Sequence, residues 1–68
     1  VIRDEREQIV RAAIMSLPER QRIALTLRHD DELSYREIAG IMDISEKAVE
    51  RLLDRGRTAL AETLREKP

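Results

Sequence analysis

Apolar residues recur along most of this chain at the three- and four-residue spacings of a helix, with charged residues filling the gaps. Ile2, Ile9, Val10, Ala13, Ile14 and Leu17 follow that pattern, which predicts an amphipathic helix over about 2–16. Asp4, Glu5 and Glu7 suit its positive N-terminal end. Leu17-Pro18 ends it, because proline lacks the amide hydrogen and disfavours a helical residue before it. Pro18 suits the first position of a second helix over about 18–29, with Glu19 in the first turn, Ile23, Ala24 and Leu27 inward, and Arg28 and His29 at the negative end.

Residues 30–33, Asp-Asp-Glu-Leu, form a polar connector, and Ser34-Tyr-Arg-Glu37 spells a capping box in which each side chain satisfies the other residue's backbone donor. The third helix, 35–42, carries Ile38, Ala39, Ile41 and Met42 and stops at Asp43. Ser45 then caps a fourth helix over about 46–65. Strands, repeats and Gly/Ser linkers have no support, so residues 1–68 read as one all-α domain of four helices. The expected core is Ile9, Ile14, Leu17, Ile23, Leu27, Ile38, Met42, Val49, Leu53 and Leu60.

The break at Asp43 is shorter than many bundle loops and fits a helix-turn-helix, whose second helix projects into a DNA major groove. Small Ala39 sits where the two helices must cross, with Ile38, Met42, Ile44, Val49 and Leu52 around it. Asp43 stands where the turn requires left-handed backbone, which aspartate tolerates better than most residues. An antiparallel pair in an ordinary small bundle is the alternative. The fold class is therefore a small all-α four-helix domain containing a helix-turn-helix, in the winged-helix-like DNA-binding class without a wing.

Composition narrows the function classes. The 68 residues contain no cysteine, which excludes disulfides and thiolate metal sites and fits a reducing cytoplasm. Tyr35 is the only aromatic residue and charged residues make up 40%. No apolar run approaches the roughly 18 residues of a membrane span, and the Val1 start points to a fragment of a longer protein. A net charge of -1 does not by itself indicate nucleic-acid binding, so the placement of charge decides.

Lys47, Arg51 and Arg55 fall at four-residue spacing and share one ridge of the fourth helix, while Glu46, Glu50 and Asp54 form an acidic ridge about 100° around. Such a basic ridge can reach phosphates and the acceptor edge of guanine, and a solvated face of mixed charge is the bland alternative. His29 beside Asp30, Asp31 and Glu32 has no second histidine, cysteine or nucleophile to complete a site, so no enzyme, metal or cofactor is expected.

Three stretches, LPERQRIALTLRH (17–29), LSYREIAGIMDIS (33–45) and AVERLLDRGRTAL (48–60), resemble region 4 of bacterial sigma factors of the sigma-70 family, extracytoplasmic-function (ECF) subgroup. The resemblance implies a cytoplasmic domain that recognises the promoter -35 element in double-stranded DNA through its last helix. It also implies docking on the beta-subunit flap of RNA polymerase core and capture by an anti-sigma factor, with the isolated domain expected to be a monomer. Carried over by position, DNA contact falls to Ser45, Lys47, Arg51 and Arg55, with Arg57 and Arg36 as phosphate partners. Glu50 and Leu52 stand where many relatives carry basic residues, which points to a different -35 sequence, and Glu32 and Gly56 replace a common glycine and alanine. The alternatives are a sigma-like module that binds an anti-sigma factor without DNA, and the output domain of a response regulator.

Overall fold

The computed structural model describes residues 5–66, which form α1 (Glu5–Met15), α2 (Glu19–His29), α3 (Tyr35–Met42) and α4 (Glu46–Glu66), with no strand among them. The all-α, four-helix architecture matches the sequence reading. Ile2 and Asp4, expected in the first helix, lie outside the described residues.

Helix α1 ends as Leu17-Pro18 requires. Its last turn tightens through Ser16 N–H to Ala13 O and Leu17 N–H to Ile14 O, both 3.1 Å, and the Ser16 hydroxyl donates to Ala13 O at 2.7 Å. Pro18 lies one residue earlier than expected: it is the extended residue before α2 (φ -52°, ψ 147°), and its carbonyl accepts the Arg22 amide.

Helix α4 is the spine. It packs against each of the other three helices, α2 packs against α1 and α3, and α1 does not reach α3 among the described residues. Ile38, Val49 and Leu53 are fully buried where α3 meets α4, and each contributes about 1.5–3 kcal/mol of apolar burial. Ala13, Ile14, Leu17, Ala24, Leu25 and Ala39 complete the buried hydrophobic side chains, and Gly56 is buried with them.

The expected core needs two corrections. Ile9 and Ile23 are 38% and 37% exposed, and Leu25 is buried in their place. Helix α2 is turned so that Leu25 presses into α4 at Gly56, where a Cβ would stand 2.6 Å from Leu25 Cδ1. The glycine is thus a notch that lets two helices approach. Leu27, Met42 and Leu60 are partly buried against the core rather than within it.

Candidate nucleic-acid interface

The candidate interface is set by how α3 stops. Asp43 adopts left-handed backbone (φ 57°, ψ 48°), and the Asp43 and Ile44 amides both turn back to Ala39 O, the latter at 3.0 Å. That six-to-one bond is a Schellman closure, completed by Ile44 folding onto the Ile38–Ala39 core. Ser45 immediately restarts the chain as helix: its hydroxyl oxygen accepts the Ala48 amide at 3.0 Å and its carbonyl accepts the Val49 amide. Three residues therefore separate α3 from α4, and Ala39, 7% exposed, lies against the crossing.

At the other end, α3 carries the full capping box. Glu37 N–H donates to Ser34 Oγ at 3.1 Å, and Ser34 N–H donates to Glu37 Oε1 at 2.8 Å. Accepting the Ser34 amide, with a further contribution from the Ser34 hydroxyl, holds the Glu37 carboxyl below its ordinary pKa.

The exposed side of α4 bears Lys47, Arg51 and Arg55. Lys47 is not isolated on a basic ridge, however: its Nζ lies 3.8 Å from Glu50 Oε1, so the acidic and basic rows touch at the start of the helix. The Arg51 and Arg55 side chains engage no hydrogen bond or ion pair among the described residues, and Arg55 borders a shallow groove with Asp54, Thr58, Ala59 and Glu62. The Ser45 oxygen is committed to the cap, which leaves its hydroxyl hydrogen to donate outward. Arg36 is exposed in the first turn of α3. Arg57 stands apart from the Lys47 side, in a cleft with Leu25, Arg28, His29 and Glu32.

Two arrangements escaped the sequence reading. Arg28 reaches across the 30–34 connector, donates to Leu33 O at 2.8 Å and lies 5.7 Å from the Tyr35 ring centroid. No local spacing rule pairs residues across such a connector. His29 Nδ1 and Asp30 Oδ1 are 2.9 Å apart, and Arg11 links Asp30 (3.7 Å) to Glu7 (3.4 Å), tying α1 to the end of α2. The His29 hydrogen bond lowers the Asp30 pKa, desolvation opposes it, and the Arg11 charge adds to the lowering. Among the described residues no three candidate ligands gather to hold a metal, and no helix is long and apolar enough to cross a membrane.

The sequence matches the family model "Sigma-70, region 4" over residues 7–60. An ECF RNA polymerase sigma-E factor of Escherichia coli K12 is 47% identical over 60 residues, covering 88% of this chain and 31% of that protein. The sigma-E factor of Salmonella typhi matches to the same extent. RNA polymerase sigma factor FliA of Pseudomonas aeruginosa is 46% identical over 50 residues, 72% of this chain and 20% of that protein. The chain spans about a third of the length of the sigma-E relatives.

Proposed function

The chain belongs to the sigma-70 region 4 family, and from that premise we propose that it recognises promoter DNA in transcription initiation, reading the -35 element with α4 in the major groove. The observation that carries this reading is the closure at Asp43 and Ser45. It stops one helix and restarts another within three residues, leaving Arg51 and Arg55 uncommitted on the exposed side of the second. Arg51 is the base reader, since a guanidinium matches the two acceptors of guanine. Arg36 and Arg57, on separate elements, are phosphate partners.

A net charge of -1 gives little long-range attraction to DNA, so this domain works while held at the promoter by RNA polymerase, its flap being the docking site. An anti-sigma factor that covers the same faces is the fitting antagonist. The whole acts in the bacterial cytoplasm, where promoter DNA and polymerase are found.

The test is transcription by polymerase carrying this domain over a set of -35 variants at two salt concentrations. Arg51→Ala is expected to cost about 1–3 kcal/mol and to relax selection at one or two base pairs. Arg57→Ala is expected to weaken all sequences alike and flatten the salt dependence. Unchanged promoter selection with Lys47, Arg51 and Arg55 all replaced by alanine would sink the reading in favour of a protein-binding module.

A further inference from the structure

Lys47 and Glu50 place an ammonium and a carboxylate side by side at the start of α4, 3.8 Å apart, with the side chains 72% and 51% exposed. Whatever meets the tip of Lys47 also meets Glu50. A lone carboxylate on a DNA-facing helix would be repelled by phosphates and by every acceptor in the groove. Beside the ammonium it becomes half of a donor–acceptor pair with little net charge.

The major-groove edge of a base pair has the complementary form. Guanine shows acceptors at N7 and O6, and its partner cytosine shows the N4 amino donor. O6 and N4 are hydrogen-bonded to each other, hence about 2.9 Å apart. Small side-chain rotations bring a pair separated by 3.8 Å onto that spacing. Lysine has three donors and a carboxylate about four acceptor sites, so each can serve a base without releasing the other.

Building on the reading that α4 enters the major groove, we propose that Lys47 and Glu50 act as one reader of a single base pair. The ammonium donates to a keto oxygen, and the carboxylate accepts from the amino nitrogen beside it. One position of the site is therefore a keto base on the strand facing Lys47, guanine first and thymine second. Thymine opposite adenine repeats the order of keto then amino, but lacks the second acceptor at N7 and adds a methyl group. Cytosine or adenine at that position reverses the order, setting amino against ammonium and keto oxygen against carboxylate. This two-tier preference separates the pair from a single arginine, which selects guanine without favouring thymine as its substitute.

The experiment is selection of promoters from duplexes randomised in the -35 element by RNA polymerase carrying this domain, with helicity checked by circular dichroism for each variant. Wild type is expected to yield one position where guanine leads, thymine follows, and adenine and cytosine are depleted about tenfold or more. Glu50→Ala is expected to raise retention of all duplexes, because an unpaired lysine remains, while depletion of adenine and cytosine at that position falls below about threefold. Exchanging the charges, Lys47→Glu with Glu50→Lys, keeps the net charge and is expected to move the preference to an amino base. If wild type enriches a motif whose base frequencies are unaltered by both Glu50→Ala and the exchange, the pair is an ordinary surface contact and the proposal is wrong while the DNA-reading function stands. If wild type enriches nothing, both fall.

Discussion

The two joints that flank α3 solve one backbone problem in different ways. Each contains a non-glycine residue in left-handed conformation, Glu32 (φ 54°) before the helix and Asp43 (φ 57°) after it. Downstream, the strain falls on a residue type that tolerates it, and the turn is closed by Asp43 and Ile44 amides on Ala39 O with the core directly behind. Upstream, glutamate has no such tolerance, the backbone bond from Leu33 N–H to Leu27 O is a long 3.3 Å, and the side chain of Arg28 bridges the gap. The angle between α3 and α4 is thus fixed by backbone and buried apolar surface. The attachment of α3 to α2 rests on that long backbone bond, the exposed Arg28 side chain and partly buried apolar contacts of Leu27, Leu33 and Tyr35. The proposed reading of DNA by α4 would need the first kind of joint, because a small rotation of α4 would displace every contact at its tip.

The largest effect should come from removing the apolar support of the downstream joint. Ile38→Ala is expected to lower stability by about 2–5 kcal/mol in chemical denaturation, whereas Ile23→Ala, at an exposed site, should cost under about 1 kcal/mol. A loss below about 0.5 kcal/mol at Ile38 would show that the α3–α4 crossing does not rest on that core. Arg28→Ala comes next, at about 1 kcal/mol for a carbonyl hydrogen bond and an exposed cation–π contact. Arg28→Lys should recover only part of this, since lysine lacks the planar fork. Full stability in Arg28→Ala would make the upstream joint self-supporting and erase the contrast.

Glycine substitutions sharpen the comparison at smaller scale. Glu32→Gly should stabilise by about 0.5–1 kcal/mol, relief of left-handed strain outweighing the added freedom of the unfolded chain. Asp43→Gly should change stability by less than Glu32→Gly, and the reverse order would mean that the strain lies downstream. The smallest effect concerns the cap of α3. Because Glu37 has a lowered pKa in the folded chain, its contribution is whole above the unfolded value of about 4.3 and is lost as pH falls through the folded one. Hydrogen exchange at the Ser34 amide, corrected for the intrinsic pH dependence, should therefore show less protection at about pH 3 than at about pH 6. Equal protection would remove Glu37 from the cap.

Much of this was legible because it is written in short-range signals. The Ser34–Glu37 box, the stop at Asp43 and the Ser45 cap each depend on residues within about one turn of each other, and each is present in the fold. Ile23 and Leu25 show the limit. Helical spacing marks an apolar stripe but not which edge of it meets a neighbour, and a glycine far along the chain turned α2 toward Leu25. Ile9 was misplaced for the same reason, as α1 settles on Ala13, Ile14 and Leu17. At the candidate interface, the exposure of Lys47, Arg51 and Arg55 followed from their spacing. The Lys47–Glu50 contact did not, because treating the two charges as separate rows overlooked that residues three apart are neighbours on a helix.

The notch at Gly56 also constrains how this sequence can drift. Adding a methyl group at position 56 improves helix propensity by about 1 kcal/mol, yet it drives a Cβ into Leu25, and overpacking of a filled site costs about 1–3 kcal/mol. Alanine at 56 therefore requires the Leu25 side chain to move aside, and shortening residue 25 instead opens a void that glycine does not fill. The two sites are therefore coupled, each setting the cost of a change at the other. Changes at the two sites should therefore be non-additive, and a graft of α4 from a relative with alanine at 56 should pack better when its own α2 travels with it.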